Sequence, residues 1–355
     1  MSSDPALCKH FGTCGGCATQ DMPVATYRSF KHKLVVDALA REGLTNIPVA
    51  DVVEIAPATR RRATFKIEKS NGETRLGFHA ARSHTIVDML ECRVLSPALV
   101  GLVPKLRDMM ASRLKEGEKS DLYVVEADNG IDVSISGLLP GPRATAWAAD
   151  WAGKLGLIRV TAGSELLVEF AQPIVTFGRA QVRLPPRAFL QPTREGEAQL
   201  AGFVLSTIRG SHQVADFFCG LGTFALRVAE HAVVTAIDSD VAALAALTKA
   251  ARATQKLKPV EALRRDLLRR PLGASELSRF DAVILDPPRA GAAQQCAELA
   301  RAQTAAIVYV SCNPASFARD ARTLLAGGWR ANRVVPVDQF TWSSHIELVA
   351  SFSRE

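Results

Sequence analysis

The sequence lacks an apolar run long enough to cross a membrane. Its longest apolar stretches, such as residues 304–310, have the length of a strand, whereas a spanning helix needs roughly 20 apolar residues. The N-terminus lacks the basic segment and the apolar stretch of a secretory signal peptide, and no internal repeat or low-complexity segment is apparent. We therefore expect a cytoplasmic protein that has no membrane partner.

A strong excess of charge of one sign is absent as well. The formal net charge is +7 over 355 residues, a mild basic bias that permits a polyanionic partner such as RNA without proving one. The basic residues fall partly into two clusters, which are Arg60, Arg61, Arg62, Lys66 and Lys69, and Arg264, Arg265, Arg269 and Arg270. Solvated faces explain either cluster equally well. With 48% hydrophobic residues, the chain can build two or three domains with buried cores.

Cysteines are few, but their placement is informative. There are seven, an odd number, and in a reducing compartment they are read as thiols, metal ligands or nucleophiles rather than as disulfides. Cys8, Cys14 and Cys17 fall within one short stretch, which chance would rarely produce. This stretch is therefore a candidate metal site.

The chain divides into three stretches. A cysteine-rich head and a helix near residues 27–42 come first. Residues 49–188 form a β-rich stretch with two hairpins, at Asn71-Gly72 and Asn129-Gly130, because Asn-Gly suits the positive φ angles of a two-residue turn. A helix is expected between the hairpins, near residues 97–114. Little helix otherwise favours an antiparallel sheet here.

Residues 189–355 alternate between strands and helices. The apolar strand candidates are residues 214–218, 232–238, 282–286, 305–311 and 347–352. Helical stretches separate the first four, which predicts an α/β fold with a doubly wound parallel sheet. In such folds the ligand binds beyond the carboxyl ends of the strands, and each motif below falls at such an end.

A glycine turn follows the first of these strands, in DFFCGLGTFAL (216–226). Gly220 and Gly222 let the backbone approach a ligand, and Asp238 ends the next strand, where an acid can bind ribose hydroxyls. A phosphate-binding loop would want a third glycine where Ala225 stands. The pattern favours a nucleoside ligand such as S-adenosylmethionine, although a dinucleotide enzyme or a plain turn stays open.

Three further motifs could carry chemistry. DPPR (286–289) presents Asp286 as many methyltransferases of nucleobase amines present a base, or is only a proline-stiffened loop. In SCNPASFARD (311–320), Cys312 precedes a helix whose N-terminus is expected to lower the thiol pKa. Most isolated cysteines are instead buried packing residues. Glu347 heads the last strand, within HIELV, and could equally face water.

Together these motifs resemble the RNA uracil-5 methyltransferase family, whose members modify transfer RNA or large-subunit ribosomal RNA. FLQ (189–191), DFFCGLGTF, DPPRAG, SCNPASFARD and HIE keep that family's order. The resemblance implies a C-terminal Rossmann-like, class I methyltransferase domain that uses S-adenosylmethionine. It implies Cys312 as the nucleophile and Glu347 as the proton acceptor. The expected cofactor-binding residues are Gln191, Phe218, Gly220, Gly222, Thr223, Asp238, Asp266 and Asp286.

The cysteine head resembles the iron–sulfur segment of the ribosomal RNA branch of this family. The resemblance implies a [4Fe-4S] cluster held by Cys8, Cys14, Cys17 and, from later in the chain, Cys92. The same four thiolates suit a zinc ion, and a metal-free head also stays open. Cys219 and Cys296 are expected to be packing residues.

The resemblance also implies the organisation of the chain and its substrate. The expected domains are an iron–sulfur segment and helix at 1–48, a β-rich RNA-binding domain at 49–188 and a catalytic domain at 189–355. No N-terminal TRAM or OB barrel is expected, so RNA contact falls on the central domain and on the Arg60–Arg62 cluster.

The predicted reaction is methylation of uridine carbon 5 in 23S ribosomal RNA, by a monomer. The alternatives are a transfer RNA substrate, amine methylation of a base through DPPR, and a non-catalytic iron–sulfur protein that binds RNA.

Overall fold

The computed structural model describes residues 7–354, and within them two large β-sheets pack against helices. In chain order the elements are α1 (Val24–Arg41), β1 (Val53–Glu54), β2 (Arg62–Ser70), β3 (Glu73–His79), β4 (Ile86–Asp88), α2 (Pro97–Ala111), β5 (Lys119–Glu126), β6 (Ile131–Ile135), α3 (Pro142–Leu155), β7 (Leu157–Ala162), β8 (Glu165–Glu169), β9 (Ile174–Phe177), β10 (Ala180–Arg183), α4 (Arg194–Thr207), β11 (Gln213–Phe217), α5 (Ala225–Val228), β12 (Val233–Asp238), α6 (Val241–Ala253), β13 (Val260–Arg264), α7 (Ala274–Leu277), β14 (Ala282–Leu285), α8 (Ala293–Leu299), β15 (Ala306–Ser311), α9 (Pro314–Ala326), β16 (Arg330–Asp338) and β17 (Glu347–Ser353). No helix in residues 7–354 has the length and apolar character needed to span a membrane.

The larger sheet has eight strands in the order β1-β16-β17-β15-β14-β11-β12-β13. Every residue of β14 is buried, and its side chains alternate between two hydrophobic cores, one on each face of the sheet. Burial on both faces is why the predicted strands read as continuous apolar runs. The predicted α/β fold is confirmed.

Two features of this sheet differ from the sequence prediction. β17 runs antiparallel to both of its neighbours, because a short loop, rather than a crossover helix, joins it to β16. β13 and β16 were not predicted. β13 lies at the edge of the sheet, where polar residues such as Glu261 and Arg264 stay exposed, and Pro336 interrupts the strand pattern of β16.

The smaller sheet has seven strands in the order β4-β3-β2-β5-β6-β7-β8. The Asn71-Gly72 hairpin is confirmed, with φ of 54° at Asn71 and 78° at Gly72 and Ser70 paired with Glu73. At Asn129-Gly130 the hairpin exists but the predicted two-residue turn is wrong, since Glu126 pairs with Ile131 across four residues.

The side chain of Asn129 explains the longer turn. Its amide donates to the Gln172 carbonyl at 2.9 Å and accepts from the Ile174 backbone at 2.9 Å. Asn129 therefore holds the start of β9 instead of adopting a left-handed conformation.

The prediction of an antiparallel sheet with little helix is also wrong in part. β6 and β7 are parallel, because α3 crosses over between them. α3 has Pro142 in its first turn and Gly156 as a left-handed C-cap, both of which are helix signals. The fully buried residues of α3 are alanines, at positions 144, 148 and 152, and Trp147, Trp151 and Leu155 pack against the same core while partly exposed.

Segments before residue 189 take part in the larger sheet and in its two cores. β1 pairs with β16 of the larger sheet, and Val175, Phe177 and Val182 of the β9–β10 hairpin pack into one of its cores. Val35 and Leu39 of α1 pack into the other core. The expected domain bounds at 48 and 188 stay predictions. Segments on both sides of them contribute to the larger sheet.

A buried ion pair connects α1 to the end of β16, where the loop to β17 begins. Lys31 is 0% exposed and donates to a carboxylate oxygen of Asp338 at 2.7 Å. It also donates to the backbone carbonyls of Phe340 at 3.0 Å and His345 at 2.6 Å. The other carboxylate oxygen of Asp338 accepts from the Tyr27 hydroxyl. Lys31 therefore holds both ends of the loop that precedes Glu347.

Replacing Lys31 with methionine should destabilise the protein by about 3–5 kcal/mol, because it leaves the Asp338 carboxylate buried without its charge partner. Urea unfolding measures the loss. Lys154→Met is the matched control, since Lys154 pairs with Asp150 on the surface and its pair should contribute about 0.5 kcal/mol or less. Equal losses in the two variants would contradict the importance of the buried pair.

Candidate active site

A cavity of about 500 Å³ lies beyond the carboxyl ends of β11, β12, β14 and β15. It is lined by nine of the ten catalytic and cofactor-binding residues expected from the sequence, namely Gln191, Phe218, Gly220, Thr223, Asp238, Asp266, Asp286, Cys312 and Glu347. The tenth, Gly222, does not line it. The structure thus brings residues from five separate motifs to one cavity.

The glycine loop after β11 is shaped by hydrogen bonds and by close packing. Gly220, with φ of 51°, donates its backbone N–H to Asp238 at 2.8 Å. A Cβ at Gly222 would lie 2.8 Å from Leu247 of α6, and its φ is 88°. Gly222 therefore lets the loop pack closely on α6 and does not line the cavity, and its expected contact with the ligand stays a prediction.

Two carboxyl groups and a thiol share the inner part of the cavity. Burial, with Asp238 nearby, raises the pKa of Asp286 to about 7 against the opposing hydrogen bond from Gln191. Burial and the neighbouring Asp286 raise the pKa of Glu347 to about 8. Glu347 is 3% exposed, so it does not face bulk water as an edge-strand glutamate would. Both carboxyl groups can therefore gain or lose a proton near neutral pH.

The pKa of Cys312 contradicts the expectation from the helix N-terminus. Burial, followed by Glu347 and Asp286, raises it to about 11. α9 begins at Pro314, and Asn313 caps it by accepting from the Ala315 backbone at 3.2 Å. Cys312 precedes the cap, so desolvation and the carboxyl groups outweigh the helix dipole. Without substrate, Cys312 is a neutral thiol.

Two glutamine side chains connect the two carboxyl groups. Gln191 donates to Asp286 at 3.2 Å. Gln339 donates to Gln191 at 2.9 Å and to Glu347 at 3.0 Å. Sequence reasoning missed Gln339, since a glutamine after a strand carries no signal of its own. Its only hint was a position in the loop leading to HIE.

The last residues of SCNPASFARD hold the DPPR loop in place. Asp320 accepts from the Ala292 backbone at 2.7 Å and from the Tyr309 hydroxyl at 2.6 Å. Arg319 donates to the Ala290 carbonyl, and Asn313 to the Arg289 carbonyl, both at 2.9 Å. The motif therefore positions Asp286 as well as presenting Cys312. This role was not predicted.

None of Arg60, Arg61 and Arg62 is fully exposed, and their expected role in RNA binding stays a prediction. Arg61 is 3% exposed and pairs with Glu197 at 2.6 Å. Arg62 lies 4.6 Å from the Phe189 ring centre and lines the active-site cavity. In the second basic cluster, Arg265 also lines the cavity and pairs with Glu276 at 2.8 Å, and the Arg269 side chain is 86% exposed.

A second cavity, of about 350 Å³, is lined by all four expected cluster ligands, which are Cys8, Cys14, Cys17 and Cys92. Burial raises the pKa of each thiol, and that of Cys17 to about 11. Among the described residues, however, no three His, Cys, Asp or Glu side chains form a group that could hold a metal ion. The structure brings the predicted ligands to one cavity but does not show a metal centre.

The remaining two cysteines are both buried, Cys219 beside the active-site cavity and Cys296 in the core. Phe340 lines both cavities. The loop between β16 and β17 thus forms a shared wall between the cysteine cavity and the active-site cavity.

Comparisons with known proteins agree with this geometry. The sequence profile of the tRNA (Uracil-5-)-methyltransferase family matches residues 175–354. A protein of Rhizobium meliloti described as an uncharacterized RNA methyltransferase is 43% identical over 98% of this chain and 85% of its own length. The 23S rRNA (uracil(1939)-C(5))-methyltransferase RlmD of Pectobacterium atrosepticum is 30% identical over 98% of this chain and 80% of its own length.

The solved structures show the fold. The tRNA (uracil-54, C5)-methyltransferase of Pyrococcus abyssi, in complex with S-adenosyl-L-homocysteine, superposes with a TM-score of 0.74. The match covers 95% of this chain and 85% of that one at 22% identity. At this identity the similarity establishes a shared architecture and no more.

Proposed function

Because this chain belongs to the RNA uracil-5 methyltransferase family, and so is an RNA methyltransferase, we propose that it methylates carbon 5 of a uridine in 23S ribosomal RNA. The observation that carries the proposal is the meeting of Cys312, Asp286 and Glu347 in one cavity at the carboxyl ends of the parallel strands. A nucleophile, a group that can hold the uracil ring and a base are the three functions that this reaction needs.

The cavity fits S-adenosylmethionine, the methyl donor of this family. Asp238 accepts from the backbone N–H groups of Gly220 and Asp240 at 2.8 Å each, which holds the carboxylate in place for ribose hydroxyls. Phe218, Thr223 and Asp266 complete that part of the wall. When bound, S-adenosylmethionine supplies an electrophilic methyl group on its sulfonium sulfur.

In the proposed mechanism Cys312 activates carbon 5, which is a poor nucleophile in free uracil. The Cys312 sulfur bonds to carbon 6, and the π electrons of the ring move toward the carbonyl at carbon 4. Carbon 5 then bonds to the methyl group as the methyl–sulfur bond breaks. Asp286 holds the ring and, when protonated, can donate a hydrogen bond to the oxygen where charge develops.

Glu347 completes the cycle. It removes the proton from carbon 5, the double bond between carbons 5 and 6 re-forms, and the Cys312 sulfur leaves. With a pKa of about 8, Glu347 is ionised in an appreciable fraction near neutral pH and is a stronger base than an ordinary carboxylate. The Cys312 thiol, with a pKa of about 11, must transfer its proton before it attacks. Asp286, with a pKa of about 7, is the acceptor that leaves Glu347 ionised for the carbon 5 proton.

Glu347→Gln should stall after about one turnover with the enzyme bonded to methylated RNA, because addition and methyl transfer do not need the base but elimination does. A denaturing gel shows this as a band that resists detergent. Cys312→Ala and the double variant are the controls, and both should give no band. Normal turnover by Glu347→Gln, or a band in the absence of Cys312, would rule out these roles.

The proposal of a ribosomal substrate is supported by the similarity to RlmD over nearly the whole chain. Unmodified transcripts of 23S ribosomal RNA and of transfer RNA, incubated with labelled S-adenosylmethionine, test it directly. We expect 5-methyluridine in the ribosomal transcript alone, and none with Cys312→Ala. Label in transfer RNA alone would reject the ribosomal substrate while leaving the reaction itself in place.

We also propose that Cys8, Cys14, Cys17 and Cys92 hold a [4Fe-4S] cluster. Four thiols around one cavity fit the donor set of such a cluster. The same four thiolates also suit a single zinc ion, so the metal content decides between the two groups. A cluster here would tie the N-terminal head to the segment after β4.

Anaerobically purified protein should therefore contain about four irons per chain. Cys14→Ser and Cys92→Ser should both lose the iron, while Cys296→Ser, which alters a buried cysteine outside the cavity, should keep it. Metal analysis and the visible absorption spectrum measure the iron bound by each variant. Stoichiometric zinc without iron, or iron retained in Cys92→Ser, would refute the assignment.

A further inference from the structure

Gln339 is a buried side chain that the mechanism above does not use. It follows β16 directly, it is 1% exposed, and its backbone N–H bonds to the Val337 carbonyl at 3.1 Å. Asp338, one residue before it, is fixed by the ion pair with Lys31. These contacts hold the backbone at Gln339 in place, so its side chain extends from a fixed point.

The hydrogen bonds around Gln339 have one consistent direction. Gln191 uses its amide N–H to reach Asp286, so only its carbonyl oxygen is left toward Gln339. The Gln339 amide must then donate to Gln191, and its second N–H donates to Glu347. Turning the amide over would place its oxygen against two acceptors.

The oxygen of Gln339 lies in a tight space. Among the described residues it has no hydrogen-bond partner, and a Cβ added at Gly196 would lie 2.6 Å from it. The absence of a side chain at Gly196 therefore leaves room for this amide. A side chain packed this closely, with both of its donors in use, cannot readily turn away from Glu347.

We propose that Gln339 is a positioning residue that holds the Glu347 carboxylate by one hydrogen bond and the Gln191 amide by another. The proposal rests on Glu347 being the base. With one oxygen bound to Gln339, the other is available for the carbon 5 proton. The charged and titratable groups that face Glu347 are Asp286, Cys312 and Arg62, and Gln339 is the neutral donor among them.

A donor to a carboxylate favours its ionised form, so loss of the Gln339 amide should raise the pKa of Glu347 further. The base is then less ionised at neutral pH and regains its function at higher pH. In Gln339→Met the decay of the covalent adduct should follow a pH profile displaced by about one unit to the alkaline side, which is about a tenfold slower decay at neutral pH. Gln339→Glu should displace it further, because it adds a like charge.

Gln295→Met is the matched control. Gln295 is 1% exposed and makes two hydrogen bonds, both to the Leu272 backbone, at 2.9 and 3.1 Å, and it does not line the cavity. It should lose comparable stability in thermal unfolding and keep the wild-type pH profile. Adduct decay is measured by rapid mixing and detergent quench after a single turnover.

The outcomes separate this proposal from the proposed function. If Glu347→Gln traps the adduct and neither Gln339 variant displaces the profile, the positioning role is wrong and the base assignment stands. If Glu347→Gln releases the adduct normally, both are wrong. A trapped adduct in Glu347→Gln, together with graded alkaline displacement in the Gln339 variants, supports both. Should Gln339→Met not fold, Gln339→Glu alone still carries the comparison.

Discussion

The ion pair between Lys31 and Asp338 fixes the loop between β16 and β17, and both cavities depend on that loop. Lys31 bonds to the carboxylate and to the carbonyls of Phe340 and His345, so the loop cannot shift without exposing a buried charge. The backbone N–H groups of Ala18 and Thr19 in the N-terminal head bond to the Trp342 carbonyl in the same loop. These bonds connect the cysteine head and α1 to the loop that precedes Glu347.

A second constraint is the number of ionisable groups in a small, partly dry space. Asp286 disfavours the ionisation of Glu347, and both carboxyl groups disfavour that of Cys312, so the three cannot all be charged together at moderate cost. The site therefore holds carboxyl groups that titrate near neutral pH and a thiol that stays protonated.

The sequence predicted five of the eight strands of the larger sheet and nine residues that line its cavity, because their signals are local. Apolar runs such as β14 mark strands that are buried on both faces, and glycines, Asp238 and Cys312 stand at the ends of those strands. The features that the sequence did not reveal depend on contacts between residues that are far apart in the chain. In the sequence Arg61 belongs to a basic cluster. In the fold it is buried and pairs with Glu197, which lies 136 residues later. The proposed role of Gln339 follows only from its hydrogen bonds to Gln191 and Glu347. The raised pKa of Cys312 follows from burial and from two carboxyl groups, neither of which a local pattern reveals.

The central claim is that Cys312 forms a covalent bond to the target uridine. Ribosomal RNA carrying 5-fluorouridine tests it most directly, since fluorine at carbon 5 cannot be removed as a proton and elimination is blocked after methyl transfer. Digestion of the complex and mass spectrometry of the peptides then locate the bond. The account predicts a methylated fluorouridine attached to the peptide that contains Cys312. The same nucleotide on another residue, or no covalent nucleotide at all under conditions of active methylation, would contradict it.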